Sequence, residues 1–354
     1  MVALILAFLV GFIAYWRSTN DCDRRTGAPA NPMKAIVYCE YGGPLKIEEI
    51  EKPVPKDNEI LVRVRAGSLN ALDGQMLHGV WIGRPMFGLR KPKNTRFGRD
   101  FAGVVEAVGK NVTEFKLGDE VFGARSGAVA QYVCAREERV ALKPGNISFE
   151  QAAGVTHAGL TALQGLRTGQ VRAGQKVLIN GASGGVGTFA LQIAKAFETE
   201  VTAVCSTRNV EIARSLGADH VIDYTKEDFT KREERYDLFY DNVGNRSFEE
   251  RRRLLKPDGI CVLAGIGSAG VHKGQVGRIA GNFGASLRSR FSDRKFASYI
   301  TTGSKADLNF LRDLMAAGKL KPVVERTYPM TEAGEAVRYL NEGHARGKLV
   351  ITVE

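Results

Sequence analysis

The 354-residue sequence predicts an α/β protein of two unlike parts, a β-barrel-type domain and a doubly wound parallel sheet. Three observations carry this expectation. Short alternating apolar and polar runs, punctuated by Gly, Pro and Asn, fill residues 33–133, the pattern of a barrel of short strands. Residues 176–180 form an apolar run that passes straight into a glycine turn and a helical pattern, as a strand buried on both faces should. Strand-like and helix-like runs then alternate to residue 264, the order of a parallel sheet with crossover helices. With 44% hydrophobic and 25% charged residues the composition is ordinary for a globular chain, and the length suits about two domains.

Residues 2–16, VALILAFLVGFIAYW, stand apart as an uncharged apolar run. As a helix it would extend about 22 Å, just short of the roughly 17 to 25 residues that cross a bilayer. No Lys or Arg precedes it, whereas a signal peptide begins with a basic region. Arg17, Arg24 and Arg25 follow it, which favours a cytoplasmic position for the rest of the chain. Residues 1–32 are therefore expected to be a single-pass N-terminal membrane anchor and linker, with the catalytic part in the cytoplasm. A signal peptide, a transit segment and a functionless extension of a cytoplasmic protein are the alternatives. The five cysteines, at 22, 39, 134, 205 and 261, form no close pair, so reduced thiols in a reducing compartment are expected.

From residue 33 the strand signals come in order: residues 34–38, 59–65, 102–109, 118–122 and 128–133. Turn residues separate them at 42–44, 53–57 and 109–111. After the strand at 176–180 comes GASGGVG, then apolar Val186, Phe189, Ala190, Ile193, Ala194 and Phe197 at helical spacing. Strand, glycine turn and helix together make a dinucleotide site credible. Gly181 permits the turn, Gly184 admits the pyrophosphate and Gly187 lets helix pack on strand. Ser183, Gly185 and Val186 complete the candidate cradle, where the helix start offers free N–H groups to an anion.

The second strand, residues 200–205, ends in Cys205-Ser206-Thr207-Arg208. An NAD site places an acid there for the ribose hydroxyls. Ser206 and Arg208 instead suit a 2′-phosphate, so NADP(H) is the expected cofactor. Two later strand ends, at Asn242-Val243-Gly244 and Gly265-Ile266-Gly267, are expected to flank the nicotinamide, because ligands lie beyond the carboxyl ends of parallel strands. Helical patterns at 308–317 and 333–342 and a closing strand at 347–351 return the chain to the β domain.

The stretch GRDFAGVVEAVGKNVTEFKLGDEVFG at 98–123 resembles the medium-chain dehydrogenase/reductase superfamily, and VLINGASGGVG with GADHVIDY resembles its zinc-free quinone oxidoreductase-like (zeta-crystallin-like) branch. The likeness runs from Met33 to Glu354. It implies a GroES-like substrate domain over 33–155, a Rossmann NADP-binding domain over 156–300, and a C-terminal return over 301–354. It also implies that Tyr224 contacts the adenosine end of NADP, that Thr161 contacts the nicotinamide carboxamide, and that Lys348 joins the cofactor-binding set. Zinc-dependent relatives carry a Cys where this chain has Asn70 and a His where it has Arg99, and neither replacement is a zinc ligand. No metal is expected.

Without a Lewis acid, a conjugated acceptor that disperses incoming charge is the easier substrate. The expected activity is hydride transfer from NADPH to a quinone or an α,β-unsaturated carbonyl, with a membrane-tethered NADPH-binding protein of little catalytic activity as the alternative. Asn70 could hydrogen-bond the substrate oxygen or a ribose hydroxyl, or merely close a strand. Asp73 could orient the Asn70 loop or relay a proton, or be a local turn cap. Thr161 could equally bond its own helix backbone. His157 reads best as a packed neutral histidine. Trp81, Met86 and Phe87 could line an apolar pocket. The net charge of +11 raises nucleic-acid binding as a further class. Its even spread and the lack of an RNA-binding motif leave an anionic cofactor and a solvated surface as the better account, so no nucleic-acid partner is expected. A homodimer is the expected assembly.

Overall fold

The computed structural model describes residues 20–24, 27–79, 84–264, 294–343 and 345–353. The apolar run at 2–16, Trp81, Gly265 and Ile266 lie outside the described residues. Among the described residues no helix is long and apolar enough to cross a membrane.

After the short α1 (Asp21–Arg24), β1 (Pro32–Val37) and β2 (Lys46–Glu51) pair antiparallel. In β3 (Glu59–Leu69), Val62, Val64 and Ala66 are buried while Arg63 and Arg65 are exposed, the alternation of a half-buried strand. Next come α2 (Ala71–His78), the one-turn α3 (Arg84–Phe87), β4 (Asp100–Val108), β5 (Glu120–Ala124), β6 (Tyr132–Arg136) and β7 (Val140–Leu142). The helices α4 (Phe149–Ala153) and α5 (Thr156–Thr168) lead out of this part.

The parallel sheet is built from β8 (Lys176–Asn180), α6 (Gly185–Ala196), β9 (Glu200–Cys205), α7 (Val210–Ser215), β10 (His220–Asp223), β11 (Tyr236–Asp241), α8 (Phe248–Arg253), β12 (Leu255–Leu263) and β13 (Lys295–Ser298). Its strand order is β10-β9-β8-β11-β12-β13. Alternate residues of β8 serve its two faces. Val177 and Ile179 enter the core that holds α5 and α6, and Leu178 enters the core with Val204, Phe239 and Phe296. That two-sided burial explains the unbroken apolar run in the sequence.

The chain closes with α9 (Lys305–Ala316), β14 (Val324–Pro329), α10 (Ala333–Asn341) and β15 (Lys348–Thr352). Leu308, Leu311 and Met315 of α9 share the core of α5 and α6. The chain rejoins the first part through β14 and β15, in a seven-stranded sheet ordered β14-β15-β3-β4-β5-β7, with β6 also on β3. β15 pairs antiparallel with the far end of β3, setting Leu349 opposite Leu69. This places Lys348 beside the loop that carries Asn70.

One expectation needs correcting. Cys22 and Cys39 form a disulfide, with Cα atoms 5.8 Å apart, so the five thiols are not all reduced. The 17-residue separation carries no motif; the pair meets because residues 20–24 fold back on the end of β1. Asn20 Nδ2 donates to the Cys39 carbonyl at 2.6 Å, and Asp23 pairs with Lys91 at 2.7 Å. Cys134, Cys205 and Cys261 are buried free thiols.

Candidate active and cofactor site

The glycine turn between β8 and α6 sits at the carboxyl edge of the parallel sheet. Gly181 takes a φ of +79°, open to glycine at little cost. A Cβ on Gly187 would lie 2.0 Å from the Gly181 carbonyl, so helix and turn meet only because a side chain is missing. A Cβ on Gly184 would meet only the Gly181 carbonyl at 3.6 Å, which leaves open space at the start of α6. The first N–H groups of this 12-residue helix have no partner within it. Open space in front of such donors fits a pyrophosphate. The Gly347 N–H donates to the Ser183 carbonyl at 2.9 Å, tying β15 to this turn.

At the end of β9, Ser206 is half-buried and Arg208 is exposed on a short 3-10 turn. Tyr224 is exposed, its N–H held by the Cys205 carbonyl at 3.0 Å. The Asp223 carboxylate on the neighbouring strand accepts from Thr207 Oγ1 at 2.6 Å and Thr225 Oγ1 at 2.7 Å. The Thr207 bond is the largest cause holding its pKa below the usual carboxylate value. Asn209, which sequence reasoning passed over, is buried and donates from Nδ2 to both Ser183 Oγ and Ser206 Oγ.

The end of β11 is organised by Asp241. This buried carboxylate pairs with Arg251 Nε at 2.8 Å and accepts from Asn180 Nδ2 at 2.9 Å and from the Val243 and Gly244 N–H groups. Asn242 and Val243 are thereby fixed beside the glycine turn, with the Asn242 N–H on the Asn180 carbonyl. Arg251 was unreadable beforehand, because FEERRR looks like a solvated helix face. Thr161 Oγ1 donates to the His157 carbonyl one turn back at 2.7 Å, the bland alternative for this residue, and also meets Thr301 Oγ1 at 3.1 Å. Burial lowers the His157 pKa and keeps the ring neutral.

A second buried polar cluster lies where β3, β4 and β15 converge. Lys348 Nζ donates to the Leu69 carbonyl at 2.8 Å and to Asn70 Oδ1 at 2.6 Å. Asn70 Nδ2 donates to Asp100 Oδ2 at 3.0 Å. A cation on its oxygen and an anion on its nitrogen fix the amide in one orientation. Its second N–H makes no hydrogen bond to a described residue. Asp73, at the third position of α2, accepts the Asn70 backbone N–H at 2.8 Å, a helix-start cap. Burial pushes the Asp73 carboxyl up to about 6 against the pull of Arg99. Burial likewise lowers the Lys348 pKa, opposed by Asp100 and Asp73.

Lys348, expected among the cofactor residues, turns its ammonium to Asn70, while its stem passes within 3.3 Å of where a Gly185 Cβ would lie. A zinc ion does not fit this donor set. The Asn70 oxygen is engaged by an ammonium, and Arg99, at the other ligand position, directs Nη2 to Met76 Sδ at 3.0 Å. Among the described residues no group of three or more His, Cys, Asp or Glu could hold a metal.

The family model described as alcohol dehydrogenase GroES-like domain matches residues 56–145, and that described as zinc-binding dehydrogenase matches residues 216–351. The chain is 33% identical over 336 residues to the chloroplastic NADPH-dependent alkenal/one oxidoreductase of Arabidopsis thaliana, covering 90% of this chain and 79% of that protein. It is also 33% identical to the 2-methylene-furan-3-one reductase of Solanum lycopersicum, with the same coverage. The solved quinone oxidoreductase of Coxiella burnetii superposes with a TM-score of 0.78 at 31% identity, covering 92% of this chain and all of that one. The shared two-part fold, the glycine turn and this degree of identity place the chain in the medium-chain dehydrogenase/reductase superfamily, as an enzyme of its quinone oxidoreductase-like branch.

Proposed function

We propose that the chain is a zinc-independent, NADPH-dependent oxidoreductase that reduces a quinone or an α,β-unsaturated carbonyl. The observation that carries this reading is the Asn70 amide, clamped between Lys348 and Asp100 with one N–H bonded to no described residue. Reduction of a conjugated carbonyl gathers negative charge on its oxygen. A buried, pre-oriented N–H donor stabilises that charge without the reorganisation water would need. Bound NADPH supplies the hydride. The glycine turn and the start of α6 hold its pyrophosphate, Ser206 and Arg208 suit its 2′-phosphate, and Asn242 and Val243 border its nicotinamide end. Thr161 is assigned to support of the sheet edge, and Asp73 to holding the Asn70 loop. The names of the Arabidopsis, tomato and Coxiella relatives support both acceptor classes.

Purified protein should oxidise NADPH with 9,10-phenanthrenequinone and with simple enones, equally with and without a chelator. Loss of turnover with loss of one bound zinc per chain would overturn the metal-free part of the reading. Absence of turnover across the acceptor panel would overturn the rest and favour the tethered, weakly catalytic alternative. Residues 2–16 support attachment to a membrane, and carbonate washing of the full chain tests it. β13 lies at the sheet edge with Ile300 83% exposed just beyond it. A strand with no second neighbour among the described residues supports a homodimer, read by light scattering.

A further inference from the structure

Asn209 ends the 3-10 turn after β9 and precedes α7. An Asn at a helix start normally accepts the free N–H groups of the first turn. Here φ is −111° and ψ is 0°, and the side chain makes no capping bond. It is 4% exposed, and its Nδ2 donates at 3.0 Å to Ser183 Oγ and at 3.0 Å to Ser206 Oγ. Its Oδ1 is buried with no partner. A buried amide oxygen without a donor costs free energy, so the arrangement is poor as pure scaffolding.

The amide nitrogen has only hydrogens to offer. Both serine oxygens therefore act as acceptors toward it, and their own protons must point elsewhere. Neither hydroxyl donates to a described residue. One belongs to the glycine turn and the other to the end of β9, the two elements that border the ribose next to adenine. Arg208 stands two residues beyond Ser206. Two hydroxyl protons not used within the protein, with an arginine two residues along the chain, match an anion, and give nothing to a ribose that lacks one.

We propose that Asn209 is a positioning residue for cofactor choice: by donating to Ser183 and Ser206 together, it aims both hydroxyl protons at the 2′-phosphate of NADPH. The inference rests on the NADPH reading above. It differs from a structural role in what it does to two ligands that differ only by that phosphate. Binding of 2′,5′-ADP and 5′-AMP is measured by calorimetry, without turnover, on the full chain. Asn209→Leu removes the donor and should weaken 2′,5′-ADP about tenfold, leaving 5′-AMP within about twofold. Asn209→Asp should weaken 2′,5′-ADP further, because its carboxylate accepts from the serines, turns their protons inward and adds like charge. Asn209→Ser, too short to bridge both hydroxyls, carries the same expectation as the Leu variant if that one fails to fold. Equal losses for the two ligands, or none, overturn the proposal. Arg208→Ala is measured alongside. If it separates the two ligands while the Asn209 variants do not, only the Asn209 inference falls. If neither does, the NADPH reading falls with it.

Discussion

Replacing Lys348 by Met separates two accounts of this residue. The ammonium is buried, and it donates to the Leu69 carbonyl and to Asn70 Oδ1. Met has nearly the same length and no donors. The substitution ends the cost of burying a charge, but it leaves two oxygens unpaired and the buried Asp100 and Asp73 without their neighbouring cation, so stability should fall and rates are compared under conditions where the variant is folded. The larger effect should fall on Asn70. Without the cation its amide is held on one side only, by Asp100, and the second N–H is no longer fixed. A hydrogen bond to a charged group contributes about 1.5 to 3 kcal/mol, which for an orientation lost in the transition state corresponds to a fall of about 10- to 160-fold in kcat/KM. Lys348→Gln, which can still donate to Asn70, should recover part of it. NADPH affinity, read by quenching of protein fluorescence, should stay within about twofold. Steady-state rates with a quinone and an enone give the first quantity, and the fluorescence titration the second. If NADPH affinity falls in step with kcat/KM, Lys348 binds the cofactor directly, as the family resemblance implied, and the positioning argument is refuted.

Arg208→Ala should weaken NADPH about tenfold or more while NADH binding hardly changes; equal losses would show that Arg208 does not read the phosphate. For Asp73 the folded pKa, about 6, lies above the ordinary aspartate value of 3.8, so its contribution is fully present below pH 4 and is lost as pH rises through 6. That loss is on the order of 3 kcal/mol, so Asp73→Asn should match the parent at pH 4 and exceed it by up to that amount at pH 8 in urea unfolding; a gap independent of pH contradicts the assignment. Alkylation of the unfolded, unreduced chain should label three thiols, those of Cys134, Cys205 and Cys261, and all five after reduction. Five labels without reductant would remove the Cys22–Cys39 bond, whose 17-residue loop stabilises the fold by about 3 kcal/mol where it forms.

The parts legible in the sequence are those written in local periodicity. β8 reads as a buried strand because Val177, Leu178 and Ile179 must satisfy two cores at once. The glycine turn reads because only glycine survives at Gly187, 2.0 Å from a carbonyl. What was not legible is pairing across long loops. Asn70 drew notice for standing where zinc enzymes have a thiolate, yet its orientation is set by Lys348, 278 residues away, and by Asp100, 30 residues away. Arg251 sits in a run that reads as solvated, and Asn209 in one that reads as a helix start. Cys22 and Cys39 belong to no motif. In each case the residue type allows an ordinary surface or capping role, and only the fold denies it. A buried polar group must find partners, so its meaning lies in which partners it has and which it lacks. Among the described residues, Asn70 keeps one N–H without an acceptor and Asn209 one oxygen without a donor, and neither feature follows from the residue type alone.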